Sequence, residues 1–283
     1  MVEKNNMKIL VSLLIFLFAP QMIWGNNQLW QYSKSDSTKI VALLDEAKNE
    51  KEDTNFPLYF ANKFIGIRYV ASTLERNKTE KLVINLQELD CTTLVENVLA
   101  LTLCVKTKQY SFNQFCTFLQ KIRYNNGVIS YPTRLHYFSE WINDNTKQGF
   151  VKEINTPNPP FKSQQILDLH YMSTQHHKYP MLVQNPSWIK EIRTMEQMVS
   201  GKTVNYIPKG ILNNSSLIKD VIKDGDIIAI VTARKGLDTS HIGFASWHNG
   251  QLHLLNASRI RGKVVYESMT LYQYMQTQRY QLG

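Results

Sequence analysis

Three features of the sequence predict an α+β fold. A long stripe of apolar residues at helical spacing follows Asp90, and a second amphipathic stretch follows Ser111. Towards the C-terminus the character turns to apolar runs joined by Asn249-Gly250, the strongest short hairpin signal a sequence carries.

The elements follow in order. Thr38 to Asn49 places Ile40, Val41, Leu43, Leu44 and Ala47 on one helical stripe. Leu58 to Val70 mixes aromatic and apolar residues and ends at Gly66-Ile67-Arg68-Tyr69-Val70, Arg76 to Glu80 is a polar loop, and Leu82 to Leu86 has a strand-like run. Cys91, Leu94, Val95, Val98, Leu101 and Val105 then recur at i, i+3, i+4, i+7, i+10 and i+14, which predicts a helix with one apolar face. Ser111 with Gln114 three residues on reads as a capping box for a helix whose face is Phe112, Phe115, Cys116, Leu119 and Ile122. Residues 125–215 are mixed, with a turn at Tyr131-Pro132, an aromatic segment from Leu135 to Ile142, and a bend at Pro157, Pro159 and Pro160. Asp226 to Thr232, His241 to Trp247 and Gln251 to Ala257 read as strands. No repeat and no Gly/Ser-rich linker interrupts the chain, so residues 26–283 are expected to form one domain, with 107–220 as an insertion within it.

The chain has 283 residues, 43% hydrophobic and 19% charged, which excludes a disordered, collagen-like or polytopic membrane protein. The formal charge of +9 comes from basic residues spread along the chain without a dense run, so it suits polyanionic partners in general, cell-wall carboxylates included. There is no Walker loop, no dinucleotide-binding glycine fingerprint and no nucleic-acid module.

Residues 1–25 read as a secretory signal: Lys4 and Lys8 form a basic start, Ile9 to Ala19 a short apolar core, and Trp24-Gly25 the cleavage region. The apolar run is shorter than the roughly 20 residues a membrane span needs. The expectation is therefore a mature chain from about Asn26, periplasmic or secreted and without a stable membrane anchor. In an oxidising compartment the three cysteines, Cys91, Cys104 and Cys116, leave at least one thiol outside any internal disulfide. Cys104 and Cys116 flank a tight helical turn, and either a bridge or two buried thiols would fit them.

Cys91 follows Asp90, a good N-cap by type and position. Its thiol then sits in the first helical turn, where free N–H groups favour an anion and can stabilise an oxyanion. The bland alternative is a core cysteine on an amphipathic helix. A nucleophile needs a base, and the hairpin sorts the histidines. A two-residue turn pairs His248 with Gln251, which sets His241, Gly243 and Asn256 on one face and His253 on the other. Asn256 becomes the diagonal neighbour of His241, giving a possible Cys–His–Asn constellation. His170, His176 and His177, near Asp168, match no zinc signature, so neither a metal nor another cofactor is expected. Arg134 and His136 could either belong to a plain aromatic helix or contact a substrate carboxylate.

These residues resemble a known family. Gly66-Ile67-Arg68-Tyr69, Asp90-Cys91-Thr92-Thr93-Leu94-Val95, Ser240-His241-Ile242-Gly243-Phe244 and Asn256 are similar to the NlpC-type papain-like cell-wall hydrolases. The Asp90 to Thr93 block, Arg134 to Tyr137 and Gly236 to His241 more closely resemble the N-acetylmuramoyl-L-alanine amidase-like branch, over most of residues 56–260. The resemblance implies a papain-like core, Cys91 as nucleophile, His241 as base and then acid, and Asn256 in a third slot that many relatives fill with His. It also implies Tyr69 and Asp90 as lining and recognition residues, with Thr92 and Ser240 beside them, and Arg134 and His136 toward substrate.

The function expected is an exported cysteine amidohydrolase acting on peptidoglycan stem peptides as a monomer. It would cut the muramoyl–L-alanine amide or the γ-D-glutamyl–diamino acid bond, on soluble muropeptides rather than intact wall. Lipid acyl transfer by a related fold, and a catalytically silent wall-binding module, are the rival readings.

Overall fold

The computed structural model describes residues 29–154, 160–213 and 215–283. The signal sequence expected at 1–25 and the bend residues Pro157 and Pro159 lie outside them.

Strand β1 (Trp30–Gln31) leads into α1 (Lys34–Ala47), whose N-cap Ser33 forms a reciprocal box with Asp36. Next come α2 (Phe56–Lys63), β2 (Arg68–Tyr69), β3 (Leu82–Val83) and β4 (Glu88–Leu89), then α3 (Cys91–Lys106) and α4 (Phe112–Arg123). At the cap of α4, Gln114 N–H donates to Ser111 Oγ at 3.1 Å. The middle of the chain carries α5 (Phe138–Lys147), β5 (Ser163–Ile166), α6 (Tyr171–Thr174), α7 (Pro180–Gln184), α8 (Trp188–Val199), β6 (Thr203–Tyr206) and α9 (Ser215–Val221). The C-terminal part is β7 (Ile227–Val231), β8 (Thr239–His248), β9 (Gln251–Ser258), β10 (Lys263–Tyr266) and α10 (Leu271–Gln276).

A six-stranded sheet of order β4-β2-β10-β9-β8-β7 organises the molecule, with β4 and β2 parallel and the remaining neighbours antiparallel. The β8–β9 turn is Asn249-Gly250, both at positive φ (50° and 75°), and His248 pairs with Gln251. One face of the β8–β9 ribbon buries Ile242, Phe244, Leu255 and Ala257 against the helical core, and the other buries Ala245, Leu252 and Leu254 with residues of α9 and α10.

Helix α3 departs from the sequence expectation. Instead of one apolar face it is buried from Thr93 to Val105 on every side, because α1, α2, α4 and the sheet surround it. Its polar residues find internal partners: Glu96 accepts from Arg123 Nε at 2.7 Å, Asn97 donates to the Thr93 carbonyl, and Thr102 to the Val98 carbonyl. Cys104 and Cys116 are buried free thiols in the same apolar cluster.

Residues 107–220 divide among three cores, with Ile207, Leu212 and Ile218 joining the one that holds Leu252 and Leu254. Phe115, Cys116, Leu119, Ile122, Phe138 and Trp141 belong to the central cluster around α3. Tyr131, Tyr137, Leu167, Leu169, Met172, Met181, Leu182, Ile192 and Val199 form a cluster of their own. Among the described residues no helix is long and apolar enough to cross a membrane.

Candidate active site

The site grows from the start of α3. Asp90 Oδ1 accepts the Thr93 N–H at 2.8 Å, and Thr93 Oγ1 accepts the Asp90 N–H at 2.9 Å. This reciprocal cap fixes the first turn, and Cys91 is its first residue. Tyr69 is held two residues away from that thiol in the ladder, since it pairs with Leu89 across the parallel β2–β4 pair.

Cys91 is half-buried. Thr92 and the backbone of Ile242 favour its thiolate, which places the thiol near β8. Burial, reinforced by the Asp90 charge, pushes the thiol up to about 12. That reverses the expectation from the helix terminus alone, in which a lowered pKa would leave a thiolate. Burial also holds the His241 imidazole below the usual histidine value, against the Asn256 hydrogen bond and the charges of Glu267 and Asp90. The two groups therefore rest as neutral thiol and neutral imidazole.

His241 Nε2 lies 2.9 Å from Asn256 Oδ1. An amide oxygen only accepts, so Nε2 carries the hydrogen and Nδ1 keeps the lone pair that can take a proton. Asn256 is fully buried, and its Nδ2 has no partner among the described residues. A buried unpaired donor is costly, a local violation typical of functional positions. Gly243 leaves the room the pair needs: a Cβ there would stand 2.9 Å from Asn256 Cβ and 2.8 Å from the Leu255 carbonyl oxygen.

Tyr69 is half-buried and interacts electrostatically with Cys91, Asp90 and Arg259. Burial, then the Cys91 and Asp90 charges, raise its phenol to about 12, so it is a donor at neutral pH. Ser240 is exposed on β8, next to His241 in sequence but on the alternate side of the strand.

Arg134 and His136 are placed otherwise than expected. Arg134 is buried, with Nη2 2.6 Å from Glu75 Oε1 and Nε 3.5 Å from Glu80 Oε1, and its guanidinium lies over the Tyr131 ring. Its charge is engaged by these internal carboxylates. His136 lies 2.8 Å from the Tyr131 carbonyl, and burial together with the Arg134 charge drives its pKa down to about 3. It is a neutral packing residue beside Arg134.

His170 and Asp168 are 3.7 Å apart, and His176 hydrogen-bonds the Ser173 carbonyl. Among the described residues no three His, Cys, Asp or Glu side chains converge as metal ligands. His253 stacks on Tyr266 and bonds the Glu267 carbonyl. An apolar cavity of about 400 Å³ lies elsewhere, between α3, α5 and β7, and Cys91 does not line it.

Two nearby residues escaped the sequence reading. Glu267, only 2% exposed, pairs by its backbone with Leu254 and so shares the face of Asn256. Arg259 opens the β9–β10 turn. The β-branched and aromatic run Val264-Val265-Tyr266 behind Gly262 was the available signal for that second hairpin.

Fold and site together define an α+β protein of the amidase-like class. The chain belongs to the family described as AmiA-like, N-acetylmuramoyl-L-alanine amidase-like, which matches residues 59–282. It is similar to an N-acetylmuramoyl-L-alanine amidase of Bacteroides uniformis, with 40% identity over 81% of this chain and 94% of that one, at a TM-score of 0.75. A Bacteroides fragilis structure named provisionally as a xylanase has 41% identity over 80% of this chain and 97% of its own, also at 0.75. A Legionella pneumophila protein, 23% identical, shares the fold over 88% of this chain and 92% of its own, with a TM-score of 0.69. None of the curated proteins matches the chain.

Proposed function

We propose that the protein is a cysteine amidase of peptidoglycan, working outside the cytoplasm on the amide bonds of stem peptides. The observation that carries this is the hydrogen-bonded His241–Asn256 pair on strands packed against the capped helix that begins at Cys91, in a family described as N-acetylmuramoyl-L-alanine amidase-like.

The roles follow from the geometry. As Cys91 Sγ attacks the amide carbon, its proton passes to His241 Nδ1. Asn256 Oδ1 holds Nε2–H and with it the ring plane, and the imidazolium that forms is favoured by Asp90 and Glu267. The N–H of Cys91, at the first position of α3, supplies a donor for the developing oxyanion. His241 then protonates the leaving amine, and water hydrolyses the thioester by the reverse relay.

A glycosidase would need two carboxyl groups facing one bond. Here Asp90 caps α3 and Glu267 is buried against Arg261, so amide chemistry suits the site better. Mass spectrometry of products from defined muropeptides tests the reading. Release of the stem peptide from N-acetylmuramic acid, or cleavage after the γ-D-glutamyl residue, by the wild type and not by Cys91→Ala, is expected. Intact substrates, or cleavage undiminished in Cys91→Ala, would overturn it.

A further inference from the structure

The cation expected to read a substrate carboxylate, Arg134, is consumed by Glu75 and Glu80. Other arginines on this side of the sheet are also engaged. Arg68 and Arg76 both pair with Glu88, and Arg261 turns back to Glu267 at 3.4 Å. Arg259 is exposed and forms no ion pair among the described residues.

Its position is fixed by the turn it opens. Ser258, buried, pairs with Lys263, so residues 259–262 form a short connection. The Arg261 N–H donates to Ser258 Oγ at 3.3 Å, and Gly262 takes a φ of 69° that suits glycine. The Tyr69 N–H donates to the Gly262 carbonyl at 2.8 Å, tying this turn directly to the strand residue that borders Cys91. The Arg259 charge acts on the Tyr69 phenol in the opposite sense to Asp90, so a cation and an anion flank Tyr69.

Resting on the amidase reading above, we infer that Arg259 forms a carboxylate-binding subsite on the turn bonded to Tyr69, engaging a free carboxylate of the peptide part of the substrate. A guanidinium fork matches a carboxylate with two parallel bonds. Because the fork is planar, less freedom is lost for each hydrogen bond it forms than with a lysine. The Asp90 carboxylate repels a second anion, so the substrate carboxylate is steered to the turn side of Tyr69.

The test uses the full mature protein and a pair of stem-peptide substrates identical except that one carboxylate is a carboxamide, repeated at each carboxylate of the peptide. The wild type should favour one carboxylate form in kcat/KM by on the order of 10- to 100-fold. Arg259→Gln should erase that preference by raising KM for the carboxylate form alone, with kcat and the carboxamide reaction unchanged. Arg259→Lys should recover part of it, because charge remains and the fork is lost. An unchanged KM in Arg259→Gln, or equal losses on both forms, would overturn the subsite and leave the amidase reading standing. If the wild type cleaves no member of the set, the amidase reading falls and takes the subsite with it.

Discussion

At the scale of single residues, the chemistry turns on where one proton rests. Cys91 is raised to about 12 by burial and by Asp90, while burial holds His241 below 6.5. A general base must be neutral to act. With His241 lowered, the base is ready throughout neutral pH, and its loss by protonation falls below the ordinary histidine value. The expected kcat/KM profile is flat from about pH 7 to 9, with an acid limb below about 6.5. Glu267 is one of the groups raising His241, so Glu267→Gln should move that limb to still lower pH. A thiolate–imidazolium resting pair would instead give thiolate ultraviolet absorbance at neutral pH that vanishes in Cys91→Ala, and such a signal would refute the neutral pair. The same residues predict a graded mutation series. His241→Ala should be nearly as damaging as Cys91→Ala, since members of one unit are non-additive. Asn256→Ala should keep a reduced, measurable rate because it only orients the ring, and Asn256→His should be tolerated. Steady-state rates of the four variants check the order, and equal negligible effects would dismiss the pairing.

At the scale of elements, the hairpin was legible and the polar core was not. A two-residue Asn-Gly turn has one natural register, so the shared face of His241 and Asn256 follows from counting. The capped start of α3 was legible for a similar reason: Asp90 and Thr93 interact within four residues. The ion pairs of Arg134 were not legible because its partners are remote. Glu75 lies 59 positions earlier, and no local pattern announces the pair. Likewise the partner of Glu96 is Arg123, 27 positions on, which meets it inside the core. The raised pKa of Cys91 is also a tertiary effect, since burial outweighs the helix terminus that the sequence displays. The Arg134 correction carries its own prediction. Removing one partner of a buried ion pair leaves an uncompensated charge and typically costs about 3–5 kcal/mol. Arg134→Ala should therefore lower the urea midpoint strongly, while the folded fraction keeps its KM. A raised KM at undiminished stability would restore the carboxylate-reading role.

At the scale of the whole molecule, the segment leading into β8 joins two cores. Ser139 N–H of α5 donates to Asp238 Oδ2 at 2.7 Å, and Leu169 of the separate apolar cluster forms a parallel bridge with Gly236. Gly236 is packed so closely there that a Cβ would stand 2.9 Å from the Tyr171 nitrogen and 3.0 Å from His170 Nδ1. Three residues on in β8 from Asp238 comes His241. The accessory cluster is thus fastened to the segment that leads into His241. The Arg259 turn is tied to Tyr69. The candidate reacting groups are themselves recessed, with Cys91 half-buried and Asn256 fully so. A substrate must bring a slender peptide down to the sulfur, and a cross-linked wall presents its peptides within a bulky network that these borders would hold off. Long segments around a site commonly act in this covering way. Soluble muropeptides should therefore be cleaved efficiently, and intact sacculi solubilised slowly or not at all. Rates compared per stem peptide on the two substrates decide it. Equal rates would refute the size preference while leaving the Cys91 chemistry untouched.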